Sequence, residues 1–101
     1  MVTASLEPST FALVKSVLED VGTELGFEEL RSVDPDTPVF GGAEGIDSLS
    51  LVHVVAAVER AAQQHYGRPV VLADERAMSR RHSPFRTAGT LAALLHERLH
   101  E

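Results

Sequence analysis

The sequence predicts an all-α protein, and two observations carry this prediction. Apolar residues recur at spacings of three and four in several separate stretches, which is the periodicity of one helix face. Aromatic residues make up only 5% of the 101 residues, so the core consists mainly of Leu, Val and Ala, which suits close-packed helices. We therefore expect a four-helix bundle, with three longer helices and one short helix, and a long loop between the first and second helices.

The first predicted helix begins near residue 10, where Ser9 or Thr10 can act as the N-cap. Gly26 is the expected C-cap, because glycine tolerates the left-handed conformation that ends many helices. Residues 1–8 show no apolar period and are expected to be flexible, which leaves a single domain over residues 9–101. The apolar stripe of this helix has spacings of 3, 4, 3 and 4 and consists of Phe11, Val14, Leu18, Val21 and Leu25.

A long loop is predicted for residues 27–45, because prolines and glycines interrupt any helix there. A loop of this length in a compact domain is often functional. The helix-breaking residues are Pro35, Pro38, Gly41, Gly42 and Gly45. Four apolar residues are expected to hold the loop against the core, namely Leu30, Val33, Val39 and Phe40.

The second predicted helix begins at Asp47 or Ser48 and ends near His65, before Gly67 and Pro69. Asp47 is expected to accept hydrogen bonds from the free amides of the first turn. The predicted apolar face of this helix consists of Leu51, Val52, Val55, Val58 and Ala62.

The last third of the chain predicts a connector and two further helices. Residues 70–72 (Val-Val-Leu) are expected to form a buried connector, followed by one or two helical turns over residues 73–78. Thr87 or Thr90 is the expected N-cap of the final helix. The inner stripe of that helix is predicted to be Ala88, Leu91, Leu95 and Leu99.

Charge and composition exclude several classes of function. The net charge of −6 disfavours nucleic acid, because binding to phosphates usually depends on basic residues. No apolar run approaches the roughly 20 residues of a membrane span, and the absence of cysteine makes the cytosol the default compartment. One local exception to the acidic character is a basic segment that contains Arg76, Arg80, Arg81, His82 and Arg86.

Residues 96–100 (His-Glu-Arg-Leu-His) match the His-Glu-x-x-His pattern of zinc proteases, in which the two histidines share a helix face. Leu99 belongs to the inner stripe of the last helix, which turns the histidines toward solvent. Only Glu101 follows in the sequence, so no downstream ligand is expected. We therefore expect neither a metal site nor a metallohydrolase here.

The most informative motif is Gly45-Ile46-Asp47-Ser48-Leu49, which opens the second helix. No general base lies within a few residues of Ser48, so this serine is more readily interpreted as a residue to be modified than as a nucleophile. The motif, its place between the first two helices, and residues 33–41 and 85–87 resemble the acyl and peptidyl carrier proteins over roughly residues 10–99. The resemblance implies a four-helix bundle with a 4′-phosphopantetheine arm on Ser48, and Asp47 as a recognition residue for the transferase.

The resemblance further implies a monomeric, cytoplasmic acyl carrier that is not itself an enzyme. Its partners would be a phosphopantetheinyl transferase and acyl-transferring or condensing enzymes. The residues expected to contact partners are Leu49, His53, Val54, Ala56 and Glu59, although Leu49, Val54 and Ala56 also suit loosely buried core positions. An exposed second-helix face with few acids and a long basic segment favour a specialised lipid or polyketide carrier over a fatty-acid housekeeping role. A peptidyl or aminoacyl carrier, and a helical interaction module without a prosthetic group, remain alternatives.

Overall fold

The computed structural model describes residues 10–40, 46–79, 81 and 83–100, and it confirms the all-α prediction. Within these residues the α-helices are α1 (Thr10–Leu25), α2 (Ser48–Tyr66), α3 (Glu75–Met78) and α4 (Ala88–Leu99). A 3-10 helix over Glu28–Leu30 follows α1 and was not predicted. The described residues include no β-strand, and the expectations for residues 1–9, including Ser9 as a cap, lie outside them. Three longer helices and one short one therefore follow in the expected order.

Helix α1 is the centre of the fold, because it packs against both α2 and α4. Its predicted stripe is confirmed at Val14, Leu18 and Val21, which are buried. Leu25 is 42% exposed, since the helix ends there and the chain turns away. Gly26 has the positive φ of 82° that a left-handed C-cap requires, and its N–H donates to the carbonyl of Gly22 at 2.8 Å.

The predicted face of α2 is correct except at one position. Val55, Val58 and Ala62 are buried, and Leu51 is partly buried. The prediction for Val52 was wrong, because its side chain is 65% exposed. At 100° per residue, Val52 lies on the opposite flank of the buried stripe from Val54, which is fully buried. The face that meets α1 is therefore rotated toward Val54.

The connector before α3 is buried only in part. Val70 and Leu72 are buried, whereas Val71 is 59% exposed, so the expectation of burial fails at that residue. Side chains of an extended segment point alternately to opposite sides, which explains the difference. The short helix is confirmed over Glu75–Met78, with Asp74 as its N-cap.

Helix α4 begins as predicted. The Oγ1 atom of Thr87 accepts a hydrogen bond from the N–H of Thr90 at 3.1 Å, so, of the two residues that were predicted as candidates, Thr87 is the N-cap. Ala88, Leu91 and Leu95 are buried, and Leu99 is partly buried. The described helices include none that is long and apolar enough to cross a membrane.

The long loop is fastened to the start of α4 by backbone hydrogen bonds. The N–H of Val39 donates to the carbonyl of Arg86 at 2.8 Å, and the N–H of Gly89 donates to the carbonyl of Pro35 at 2.9 Å. The predicted anchors are confirmed, since Leu30, Val33 and Val39 are buried and Phe40 is partly buried. Burial and backbone bonding together fix the part of the loop that leads toward α2.

Candidate functional site

The start of α2 is held in place by the core. The N–H of Ile46 donates a hydrogen bond to the carbonyl of Val39 at 2.7 Å, and both side chains are buried. This bond draws together the two ends of the segment that precedes the helix, while Gly41, Gly42 and Gly45 lie outside the described residues. Asp47 and Ser48 follow directly after this anchor.

Asp47 caps α2 as expected. Its Oδ1 atom accepts a hydrogen bond from the N–H of Ser50 at 2.7 Å. This hydrogen bond holds the pKa of the Asp47 carboxyl below its ordinary value, so the group is ionised near neutral pH. The side chain is exposed, which leaves a carboxylate accessible beside the serine.

Ser48 is the first residue of α2, and it is exposed. Its hydroxyl makes no hydrogen bond to another residue in the described part of the chain. A serine nucleophile needs a base within hydrogen-bonding reach, and none of the described residues holds this hydroxyl in that way. The Ser48 hydroxyl is therefore accessible to a molecule that approaches from solvent.

An apolar groove of about 360 Å³ runs along α2 from the end that carries Ser48. Residues 51, 52, 55, 56 and 59 of α2 form one wall, and they lie three, four, seven, eight and eleven positions after Ser48. These spacings place Ser48 and the groove on the same face of the helix. The opposite wall consists of Val71, Ala73, Met78 and Phe85.

The second wall is fastened by charged side chains. The Oε2 atom of Glu59 accepts a hydrogen bond from the N–H of Leu72 at 2.7 Å. The buried guanidinium of Arg98 donates to the carbonyl of Val71 at 3.0 Å and to both carboxylate oxygens of Asp74. Hydrogen bonds from Arg98 and from the N–H of Ala77, in that order of importance, lower the pKa of Asp74 from 3.8 to about 2.

Sequence reasoning missed Arg98 and Asp74. The signal was present, because Arg98 lies three positions after Leu95 and therefore continues the inner stripe of α4. A charged residue at a stripe position needs a partner when it is buried, and Asp74 before a short helix is the acid that supplies one. Only the fold brings together these two residues, which are 24 positions apart.

The five predicted partner residues lie in three different environments. Leu49 is 81% exposed and shares an exposed face of α2 with His53 and Ala56. The prediction for Val54 as a partner contact is wrong, because the residue is fully buried against the core, and the alternative of a core position is correct. Glu59 is partly buried and binds the backbone of Leu72, so it supports the groove wall.

Three histidines make contacts outside the groove. His53 lies 3.5 Å from Glu24 of α1, measured between Nε2 and Oε1. The rings of His96 and His100 have centroids 4.2 Å apart and planes inclined by 36°, and Nδ1 of His100 donates to the carbonyl of His96 at 2.8 Å. The described residues contain no group of three or more His, Cys, Asp or Glu side chains that is placed to hold a metal ion.

The basic segment is described only in part. Arg76, Arg81 and Arg86 are exposed, whereas Arg80 and His82 lie outside the described residues.

Comparison of the chain with protein-family models, with curated proteins and with solved structures gives no match.

Proposed function

We propose that the chain is an acyl carrier protein that holds acyl groups as thioesters on a 4′-phosphopantetheine arm attached to Ser48. The observation that carries this proposal is the exposed Ser48 hydroxyl at the amino end of α2, on the same helix face as an apolar groove. The chain has no cysteine, so the arm would supply the thiol on which a thioester forms. Under this proposal the protein is a substrate of enzymes and not an enzyme.

The residues at the site fit such an arm. The attachment atom is an exposed oxygen at the amino end of a 19-residue helix, where the helix dipole favours the negative charge of a phosphodiester. Asp47 presents an ionised, exposed carboxylate next to it. Carboxylate oxygens are suitable ligands for the Mg²⁺ that usually accompanies phosphate transfer, which supports Asp47 as a recognition residue for a phosphopantetheinyl transferase.

The transfer itself requires coenzyme A as the second reactant. The Oγ atom of Ser48 would attack the β-phosphorus of the coenzyme A pyrophosphate, the bond to the 3′,5′-ADP oxygen would break, and the serine proton would pass to a base of the transferase. The exposure of Ser48 supports a reaction in which the transferase supplies the base, because a second protein must reach the hydroxyl.

The groove favours an acyl cargo over an aminoacyl one. Its lining side chains are mostly apolar, and its volume of about 360 Å³ accommodates part of an alkyl chain. Burial of each methylene group stabilises the bound chain by about 0.8 kcal/mol. We therefore propose a specialised lipid or polyketide-type carrier in the cytosol, with acyl-transferring or condensing enzymes as partners and Leu49, His53 and Ala56 as their contacts.

The deciding experiment is the intact mass of the protein after incubation with coenzyme A, Mg²⁺ and a broad-specificity phosphopantetheinyl transferase. We expect the wild type to gain one phosphopantetheine and Ser48→Ala to gain none. Ser50→Ala is the matched control, because Ser50 lies two positions further along the same turn and should leave the modification intact. No gain of mass with several transferases would contradict the proposal.

A second candidate is a helical interaction module without a prosthetic group. The observation that favours it is a set of exposed large apolar side chains, with Val52, Val71 and Met78 in the groove and Leu49 elsewhere on the surface of α2. Such a module predicts that Ser48→Ala leaves partner binding unchanged, whereas a carrier predicts loss of acyl transfer.

A further inference from the structure

Arg86 is joined to the start of α2 by a short series of backbone hydrogen bonds. Its carbonyl accepts from the N–H of Val39 at 2.8 Å and from the N–H of Phe40 at 3.3 Å. The carbonyl of Val39 in turn accepts from the N–H of Ile46 at 2.7 Å. Ile46 lies two positions before Ser48, so these bonds fix the backbone of Arg86 near the end of α2 that carries this serine.

The groove gives a second, independent set of contacts to the same place. Phe85 directly precedes Arg86 and lines the groove opposite Leu51. Leu51 lies three positions after Ser48, which is less than one helical turn. Arg86 is therefore bordered by the groove through Phe85 and by the hydrogen-bonded loop through its own carbonyl, and both neighbours lead to Ser48.

The side chain of Arg86 is accessible although its backbone is fixed. The residue is exposed, and its guanidinium makes no hydrogen bond or ion pair within the part of the chain that the structure describes. Two other arginines differ in this respect. Arg68 donates to the carbonyl of Leu99 at 2.7 Å, and Arg98 is buried against Asp74. Arg86 thus presents a guanidinium that an added anion can bind.

A phosphodiester on Ser48 would need a positive charge nearby. Asp47 is ionised, because the hydrogen bond from Ser50 lowers its pKa, and a phosphodiester adds a second negative charge beside it. Ten of the fifteen Asp and Glu residues lie before Ser48, whereas seven of the nine Lys and Arg residues lie after it, so compensation must come from the later part of the chain. Arg86 belongs to that part and is held at this end of the fold by its contacts with the loop.

We propose that Arg86 binds the phosphodiester of the arm and thereby sets the direction in which the arm leaves Ser48. The identity of the anion rests on the proposed function. The planar guanidinium offers two parallel N–H donors, which match two phosphate oxygens. Because Arg86 lies between the loop and the groove, the pair holds the base of the arm beside the groove. Arg86 is thus a binding residue for the phosphate and takes no part in bond formation.

Phosphorus-31 NMR of the loaded protein tests the pair directly, once intact mass shows that one arm is present. We expect the phosphodiester resonance of the wild type to move between about 0.02 and 0.5 M NaCl, because salt screens an exposed pair. Arg86→Gln should lose at least about half of this movement, since the charge that salt screens is gone. Arg86→Lys should lose less, because it keeps the charge without the fork.

Arg81→Gln is the matched control, because Arg81 is an exposed arginine of the same basic segment and the substitution removes the same charge. It should retain the salt-dependent movement of the wild type. An equal loss in Arg81→Gln and Arg86→Gln would overturn the proposal, since the general charge of the segment would then be responsible. Equal movement in all the variants would also overturn it.

A double-mutant cycle tests the same position without the arm. Ser48→Glu places a carboxylate near the position of the phosphate, and urea unfolding compares the wild type, Ser48→Glu, Arg86→Gln and the double variant. We expect a coupling of about twofold to fivefold in the folding equilibrium constant, which is typical of an exposed ion pair and should disappear at high salt. The absence of coupling at low salt would overturn the proposal. If no transferase loads the protein, the carrier proposal fails, while the cycle still decides whether Arg86 binds an anion at position 48.

Discussion

The N–H of Ile46 and the carbonyl of Val39 form a hydrogen bond of 2.7 Å between two buried residues on either side of the segment that precedes α2. Val39 in turn donates its N–H to the carbonyl of Arg86, just before α4. The position of Ser48 is therefore set by the loop, the core and the start of α4 together. A serine at the end of an isolated helix would have no such constraint.

Asp47 and Ser48 should respond differently to substitution. We expect Ser48→Ala to change the free energy of unfolding by less than about 0.5 kcal/mol, because the side chain is exposed and does not cap the helix. Asp47→Ala should lower stability, since the N–H of Ser50 loses its acceptor. Urea unfolding followed by circular dichroism measures both. Equal losses in the two variants would show that Ser48 has a structural role in addition to any modification.

Substitutions at Val54 and Leu49 test which face of α2 is buried. Val54→Ala should destabilise the protein by about 2 kcal/mol, because the residue is fully buried and its truncation leaves a cavity. Leu49→Ala should leave stability within about 0.5 kcal/mol, since this side chain is 81% exposed. Thermal unfolding of the two variants provides the comparison. If the order were reversed, α2 would pack with its opposite face inward.

Replacement of Gly22 by alanine should destabilise the protein, although alanine usually stabilises a helix relative to glycine. Alanine is normally better than glycine in a helix by about 1 kcal/mol. At Gly22, however, an added Cβ would lie 2.5 Å from the Cβ of Leu30, so the 3-10 helix would have to move. We expect Gly22→Ala to lose about 1–3 kcal/mol of stability. Thr23→Ala, at the neighbouring exposed position, is the control and should be neutral or slightly stabilising.

The stability of the protein should fall in acid, and Asp74 should account for part of the fall. The pKa of Asp74 is lowered from 3.8 to about 2 in the folded chain, so the folded state binds this proton more weakly than the unfolded state. The resulting stabilisation is complete above about pH 5 and is lost as the pH falls through about 2. Glu19 and Asp47, whose pKa values are also lowered, contribute in the same direction.

Urea unfolding between about pH 7 and pH 2 checks this prediction against Asp74→Asn. We expect the wild type to be the more stable protein at neutral pH and the difference to shrink as the solution is acidified. A difference that stays constant over the whole range would mean that the charge of Asp74 does not stabilise the fold.

Local sequence was sufficient for most of the fold. The three- and four-residue spacings predicted the stripes of α1 and α4, and side-chain chemistry indicated Asp47 as one cap and Thr87 as one of two candidates for the other. Such features depend on residues within one or two helical turns of each other, so they can be predicted from consecutive residues of the sequence. Errors arose where neighbours compete, as with Val52 and Val54, because which flank of a stripe is buried depends on the partner helix.

The sequence by itself determined the order of the four α-helices, the Asp47 cap and the place of Ser48 at the beginning of α2. Only the tertiary structure decided that Ser48 shares a face with an apolar groove, that Val54 is buried, and that Arg98 reaches Asp74 to fasten the opposite wall. The physical reason is distance along the chain. Helix periodicity and capping are short-range, whereas the burial of a charge and the closing of a groove require residues that only packing brings together.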